Sequence, residues 1–295
     1  MGDGAERLVQ PRRVPRHPGR DLGAVLADDP RGRPIELTTP GLTESLETTH
    51  LRVGRLLAGL PPGAWELDVP ATPAWTVGDV VVHLAEGDRA ALAATQGGAA
   101  PGPGQDGMTL DDWTAAHVAA HAGEPPETRL AAWEAAGDAF RWQLASLDGE
   151  GWRARVPWVV GSVSVRTLAQ LRLNEAWLHG RDIAETAGQP FEADEPTLAW
   201  LADVAARVIP GGLSRRGHPH PGAVIRLRLG DLGEWLLGGA AGERPDPAAE
   251  PDLVVEAEPL AFVLRAAGRT SGEPWRAVGD PELAADFAAT LHSVS

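Results

Sequence analysis

The stretch SVRTLAQLRLNEAWLHGRDIA, residues 164–184, carries the strongest structural signals in the chain. Ser164 can cap the start of a helix, because a serine hydroxyl can accept a hydrogen bond from a free amide of the first turn. Apolar residues recur after it at helical spacing, and Gly188 and Pro190 are typical of a helix end. The sequence therefore predicts a long helix from Val165 to about Ala187.

One side of this helix carries a row of polar side chains. Glu175, His179 and Asp182 stand at i, i+4 and i+7, so they share a face of a helix that otherwise buries leucines. Burying carboxylates and imidazoles costs free energy unless they are paired or bound to an ion. A divalent metal would remove that cost, whereas a salt-bridged row on a solvated helix is the alternative that the spacing alone favours.

A second helix start lies in the segment PAWTVGDVVVHL, residues 73–84. Thr76 can cap the first free amides, and Asp79 occupies the reciprocal position of a capping box. These signals predict a helix over 77–95. His83 falls on its apolar stripe, so we expect the imidazole to point at the core.

Side chains from these two helices together form a candidate metal site. Glu175 and His179 come from one helix, and His83 can supply a third ligand from the other. Two imidazoles and one carboxylate form the ligand set of many catalytic zinc sites, which leave a fourth position open for water or substrate. Asp182, or Asp88 on the His83 helix, could orient an imidazole from behind.

The remaining pattern predicts an α+β fold, with a four-helix bundle followed by a small α+β domain. Apolar spacing and turn signals indicate helices over 42–60, 109–122 and 127–147 and strands over 223–229 and 252–258. The predicted organisation is a disordered or loosely packed extension (1–38), a metal-binding bundle (39–190), a connecting helix with a Pro/Gly-rich joint (191–222) and a small α+β domain (223–295).

Composition excludes several classes of function. The chain of 295 residues has no cysteine, so disulfides, thiolate metal ligands and cysteine nucleophiles are excluded. It has no lysine, which excludes Schiff-base chemistry. The formal net charge of -15 argues against a nucleic acid or an anionic membrane as partner. Without a secretory signal or a long apolar run, we expect a cytoplasmic protein. Enrichment in Ala, Gly, Pro and Arg is typical of high-GC genomes, as in actinobacteria.

Other histidines and arginines have weaker contexts. His117 and His121 are also four residues apart, but no carboxylate lies near them at matching spacing, so we expect surface histidines. His218 and His220 lie in the Pro/Gly-rich joint, where a solvated loop is expected. Arginines of the C-terminal third, among them Arg265, are either solvated or face an anionic ligand.

Two motifs together resemble a known family. Residues 73–84 resemble the signature that opens the second helix in the mycothiol-dependent maleylpyruvate isomerase family, a branch of the DinB-like four-helix metal-binding proteins. Residues 164–166 and 174–184 resemble that family's last bundle helix, and the C-terminal third is similar to the domain that many members append. The resemblance covers about residues 41–295. Thr72 replaces a cysteine often found before the first motif.

The resemblance implies a divalent metal, usually zinc, held by His83, Glu175 and His179. It also implies mycothiol, a low-molecular-weight thiol whose sulfur a metal would keep deprotonated. The expected enzyme is a thiol transferase or an isomerase acting on a small electrophile, as a monomer or homodimer. Asp182 would support the site from behind, and Arg269 and Arg276 are candidates to bind the thiol or the substrate.

Two other functions stay open at this point. One is a metal-dependent hydrolase, lyase or cyclase of specialised metabolism that uses no thiol. The other is a helical ligand-binding protein without catalysis, whose polar row is a salt-bridged core.

Overall fold

The computed structural model describes residues 37–98, 110–159 and 161–291. Most of the predicted extension, residues 1–36, lies outside this range, as do His17, His292 and the greater part of the Pro/Gly-rich loop after residue 97. None of the helices in the described residues combines the length and apolarity needed to cross a membrane.

The first part of the chain is a helix bundle. Its elements are α1 (Thr39–Gly59), α2 (Val77–Thr95), α3 (Leu110–Ala120), α4 (Pro126–Ala145), the short α5 (Gly149–Arg153), a hairpin of β1 (Arg155–Trp158) and β2 (Gly161–Ser164), and α6 (Val165–Thr186). Helices α1, α2, α4 and α6 pack on one another, and α3 lies against α2. Leucines, valines and aromatic side chains fill the space between the four long helices.

The two helices that carry the motifs begin where the sequence predicts. The Thr76 hydroxyl accepts a hydrogen bond from the Asp79 amide at 3.2 Å, and the Asp79 carboxylate accepts one from the Thr76 amide at 3.0 Å. Ser164 caps α6 by accepting from the Thr167 amide at 3.1 Å. Both caps satisfy amides that the first helical turn leaves free, which fixes where α2 and α6 start.

The second part of the chain is a mixed four-stranded sheet with helices packed on it. Its elements are α7 (Glu195–Arg207), α8 (Ile209–Arg215), β3 (Val224–Leu229), β4 (Gly233–Gly238), β5 (Leu253–Ala257), α9 (Pro259–Ala266), β6 (Trp275–Gly279) and α10 (Pro281–Leu291). The strand order is β4-β3-β5-β6, with β3 and β5 parallel and the two outer pairs antiparallel. The predicted α+β class is therefore confirmed.

Alternation along β3 sets the buried face of the sheet. Ile225, Leu227 and Leu229 are fully buried, whereas the outward-facing Arg228 contacts Glu234 and Glu256 on its neighbouring strands, each at 3.1 Å. This row of the outer face is thus polar, whereas the neighbouring row carries Val254 and the exposed Val278 beside Arg226. The helices pack on the inner face.

The two parts share a hydrophobic core through α6. Trp177 and Leu178 of α6 belong to the cluster that contains the inner face of the sheet, α7 and α9. The predicted divisions at residues 190 and 222 stay a prediction, because the contact between the parts is continuous along α6.

Three elements differ from the expectations. The segment 149–164, for which the sequence analysis gives no helix or strand, contains α5 and the β1–β2 hairpin. The joint over 210–222 opens with α8, which begins with Pro210 in its first turn, where a missing amide hydrogen costs nothing. Strand β6 was not predicted, because its residues are half-buried or exposed and show no apolar alternation.

Candidate metal centre

The structure brings His83, Glu175 and His179 together where α2 crosses α6. The Glu175 Oε2 atom lies 3.2 Å from the His83 Nε2 and 3.4 Å from the His179 Nε2. One candidate ligand atom from each residue lies within 4.8 Å of the other two. His179 is buried, and the Glu175 side chain is 38% exposed toward a cavity. The three side chains therefore form a cluster that is open on one side.

The charges of the cluster are strongly coupled. Burial would raise the pKa of Glu175, but contacts with His179 and His83 hold that pKa well below its ordinary value. Burial lowers the pKa of His83, and Glu175 offsets this only in part. Burial would lower the pKa of His179 too, but Asp182 and Glu175 outweigh it and raise that pKa. Glu175 is thus an ionised acceptor between two imidazoles.

The donor set fits a divalent ion of the zinc type. Zinc prefers imidazole nitrogen and carboxylate oxygen at about 2.0–2.2 Å in tetrahedral geometry, which puts neighbouring ligand atoms about 3.3–3.5 Å apart. The nitrogen–oxygen separations of 3.2 and 3.4 Å are close to that spacing. The buried Nδ1 atom of His83 has no hydrogen-bond partner among the described residues, so its ring is free of competing polar contacts on that side.

Asp182 lies directly behind His179. Its Oδ2 atom is 3.3 Å from the His179 Nδ1, close but not aligned as a hydrogen bond, so the contact is chiefly electrostatic. The same carboxylate receives two hydrogen bonds from Arg269, from Nε at 3.2 Å and from Nη2 at 2.7 Å. Arg269 follows α9, so this chain of contacts connects the C-terminal part to the cluster.

A second buried ion pair joins α2 and α6. The Arg172 Nε donates to Asp88 at 2.9 Å, and its Nη2 donates to the Leu84 carbonyl at 3.2 Å. Gly87 makes room for this guanidinium, since a Cβ atom there would lie 2.5 Å from the Arg172 Nη1. Asp88 therefore neutralises Arg172 and does not orient an imidazole, which leaves Asp182 as the carboxylate behind His179.

The cluster opens into a cavity of about 380 Å³ between the two parts of the chain. Its donor end includes Asn174 and Trp75 beside the His83–Glu175–His179 cluster, and the Trp75 ring lies 5.1 Å from that of His83. Valine and alanine side chains of α7, of α9 and of the residues that directly follow these helices line another part of the cavity, which we call the wall. Thr114 and Ala115 of α3 border the same space.

Buried polar contacts hold the α7 wall in place. The fully buried Asp203 accepts hydrogen bonds from the Gln170 side chain of α6 at 2.9 Å and from the Trp235 indole of β4 at 3.2 Å. Arg207 lies 3.0 Å from the same carboxylate. One side chain of α7 is thereby tied both to the bundle and to the sheet.

The two arginines predicted to bind a ligand lie in different places. Arg269 borders the cavity. Arg276 lies on β6, opposite Glu256 of β5, and is not among the described residues that border it. Arg265 is buried and donates to the Gly272 carbonyl at 2.6 Å. The structure thus brings one of these side chains to the cluster.

The other histidine pairs meet carboxylates from distant helices. His117 and His121 lie 3.2 and 3.5 Å from the two oxygens of the buried Glu86 on α2, so the expectation of plain surface histidines is wrong. His218 and His220 both contact Asp286 of α10, at 3.4 and 2.8 Å. Spacing along one helix could not show partners that another helix supplies.

Sequence reasoning gave no role to Asn174, Trp75 or the wall residues. Asn174 lies beside Glu175 in one motif and Trp75 lies in the motif that contains His83, so their positions in the sequence could have indicated that they lie near the donors. The wall residues carry no such mark, because alanine and valine at helical spacing are typical of any core.

Comparisons with known proteins agree with this architecture. Residues 46–184 match the family model described as "Mycothiol maleylpyruvate isomerase N-terminal domain". A crystal structure of the mycothiol-dependent maleylpyruvate isomerase is similar, with TM-score 0.59 and 17% identity, over 83% of this chain and 95% of that chain. A histidine-to-alanine mutant of that isomerase gives TM-score 0.58 and 15% identity with the same coverage. No curated protein matches.

At these identities the two solved structures show a shared fold. The family match spans α2 and α6, and with them every residue of the donor cluster. The bundle of this chain belongs to the mycothiol maleylpyruvate isomerase N-terminal domain family.

Proposed function

We propose that this chain is a divalent-metal-dependent enzyme that uses mycothiol as a nucleophile on a small electrophile, in thiol transfer or cis/trans isomerisation. The observation that carries the proposal is the convergence of His83, Glu175 and His179 at one end of a cavity, in a domain of this family. The similar solved structures are of an enzyme named as mycothiol-dependent, which supports the choice of thiol.

His83, Glu175 and His179 would hold the ion. When bound, a divalent ion stabilises the deprotonated form of a coordinated thiol, so a chain without cysteine can present a nucleophilic sulfur. In transfer, a carbon–sulfur bond forms, the π bond of an activated alkene breaks, and the thiol proton ends on the neighbouring carbon. In isomerisation, the carbon–sulfur bond forms as the π bond breaks, the resulting carbon–carbon single bond rotates, and the carbon–sulfur bond then breaks as the π bond forms again.

The protein's own residues orient the reactants. Asp182 supports the His179 ring from behind, and Arg269 holds Asp182 in that position. Outer contacts of this kind fix the ring orientation of a metal-binding histidine. The alanine and valine side chains of the wall offer water no hydrogen bond, which favours addition of sulfur over competing reactions with water.

Metal analysis of the purified protein, combined with a mycothiol titration, tests the proposal. We expect about one equivalent of zinc or a similar ion per chain. The His179→Ala variant should retain less than about a tenth of that metal and lose about 1000-fold or more in activity, while circular dichroism keeps its helical signal. His218→Ala, which removes an exposed histidine elsewhere, is the matched control and should change neither quantity.

The titration separates this proposal from its alternatives. Mycothiol should raise the melting temperature of the metal-loaded protein, and a thiol-free analogue should not. Full metal without any response to mycothiol would favour the thiol-free hydrolase, lyase or cyclase. Absence of metal, or stoichiometric metal retained by His179→Ala, would contradict the ligand assignment.

A further inference from the structure

The cavity offers a substrate almost no positive charge. Among the described residues that border it, Arg269 is the one side chain with a permanent positive charge. The connection from α2 to α3 over residues 99–109 contains neither arginine nor lysine. Among the described residues, Arg269 and the metal-binding cluster are therefore the places where a carboxylate that entered could find a counter-charge.

Arg269 is already neutralised. Its Nε and Nη2 donate to Asp182, and its Nη1 donates to the Ala267 carbonyl at 2.7 Å. Each of the three guanidinium nitrogens therefore has a partner within the protein. The Asp182 side chain is only 1% exposed, so releasing Arg269 to a ligand would leave a buried carboxylate without its partner.

The donor end adds no net attraction for an anion. The two positive charges of a divalent ion are matched by the Glu175 carboxylate and by a thiolate. Another part of the lining comes from Val204 and Ala205 of α7, Val208 after that helix, and Val263 and Ala266 of α9, whose side chains offer no hydrogen-bond donor. A carboxylate against this wall would lose its hydration without compensation.

We propose that the cavity selects an uncharged electrophile with an apolar body and rejects dicarboxylates. The inference rests on the proposed function, because it concerns the partner that the thiol attacks. Maleylpyruvate carries two carboxylates, so the preference proposed for this chain excludes it as the favoured substrate. The metal-binding residues set the reaction, and the wall of α7 and α9 sets the choice of substrate.

Binding of two unreactive ligands in the presence of saturating mycothiol tests the selection without relying on turnover. One is N-phenylsuccinimide, which is uncharged, and the other is phenylsuccinate, which carries two carboxylates on a body of similar size. Neither has an activated C=C bond, so the thiol does not add to them and its sulfur keeps its charge. Titration calorimetry on the metal-loaded protein should give about 10- to 100-fold tighter binding of N-phenylsuccinimide.

Adding a cation to the wall should reverse the preference. Ala115 of α3 is exposed and borders the cavity, so Ala115→Arg places a guanidinium there with little risk to folding. Ala267→Arg, at the end of α9, is a second variant from the opposite side. Both should strengthen binding of phenylsuccinate about 10-fold. Ala116→Arg, on the next residue of α3 and outside the cavity lining, is the matched control and should change neither ligand's affinity.

The outcomes are distinct. Equal or tighter binding of phenylsuccinate by the unmodified protein, or binding of mycothiol without binding of either ligand, overturns the inference and leaves the proposed function standing. An equal gain in Ala116→Arg also overturns it, because general surface charge would then decide. If mycothiol itself has no effect, the proposed use of the thiol fails and the inference fails with it.

Discussion

The two ends of the cavity are built in opposite ways. At the donor end, α2 and α6 place ionisable side chains against one another, and each charge has a partner: Glu175 between two imidazoles, Asp88 with Arg172, and Asp182 with Arg269. At the other end, α7 and α9 contribute valine and alanine. In the proposed function, the first set of groups would act on a ligand and the second would decide which ligand fits.

The donor end and the wall also differ in the free-energy cost of a substitution. A charged group that loses its partner inside a protein keeps the full cost of its lost hydration, whereas an apolar side chain that is shortened costs only its burial and the cavity it leaves. Substitutions at the donor end should therefore be more damaging than substitutions of similar size on the wall.

The largest effect on stability is expected for Arg172→Ala. This change leaves Asp88 buried without its partner, which should lower the free energy of unfolding by about 3–5 kcal/mol. Urea unfolding measures it. The double variant with Arg172→Met and Asp88→Leu removes both charges and should recover most of the loss. A loss below about 1 kcal/mol in Arg172→Ala would contradict the importance given to this pair.

Acid sensitivity should come from a histidine outside the donor end. Burial lowers the pKa of His50 to about 4, with nearby Arg141 lowering it further and Asp138 opposing the shift. Its ring stacks on Trp133 at a centroid distance of 4.0 Å, so the neutral form is the packed one.

Because the folded pKa of His50 lies below the ordinary value of 6.5, the unfolded chain takes up the proton first as the pH falls. The neutral His50 therefore contributes to the free energy of unfolding above about pH 6.5. This contribution, about 3 kcal/mol, should be lost as the pH falls toward 4. The difference between the original protein and His50→Gln, unfolded in urea at several pH values, isolates this contribution. A pH-independent difference would show that His50 does not titrate in this way.

An intermediate effect is expected where the two ends meet. Asp182→Asn should weaken zinc binding by about 10- to 100-fold, because the amide supports the His179 ring less strongly than the carboxylate does. Competition with a chromophoric chelator measures this affinity. Glu185→Gln, on the same helix but 71% exposed, is the control and should leave it unchanged. Equal losses in both variants would indicate a general effect of charge.

The smallest effect is expected on the wall. Val263→Ala should lower the free energy of unfolding by about 1–1.5 kcal/mol, since two carbon atoms are lost beside an existing cavity. Zinc affinity should stay within about twofold, because the wall holds no ligand atom. A loss of metal comparable to that of Asp182→Asn would remove the distinction between the two ends.

The donor end was predictable because its signals are local. Thr76 and Ser164 mark where α2 and α6 begin, and a helix start fixes the face on which each later side chain stands. That is enough to place Glu175 and His179 side by side. The juxtaposition with His83 needed the family resemblance as well, since nothing in either helix alone specifies its neighbour.

Other parts of the molecule were not predictable for related reasons. The pairing of Arg269 with Asp182 spans 87 residues, and Glu86 meets His117 and His121 from another helix, so no spacing along the chain announces either contact. Helix α8 was not predicted, because Pro210 and the two glycines after it indicate a turn in the sequence. In the structure these glycines are buried, and α8 packs against α10. Long-range partners decide these cases.

The space that Gly87 leaves for the Arg172 guanidinium constrains how this protein can change through evolution. Any larger residue at position 87 would displace the Arg172 guanidinium and leave Asp88 without its ion-pair partner. We therefore expect positions 87, 88 and 172 to change together during evolution. Gly78, in the first turn of α2, makes room for Arg129 in the same way. A Cβ atom at Gly78 would collide with the Arg129 guanidinium. Sequence lineages should therefore keep each glycine and its arginine together or lose both.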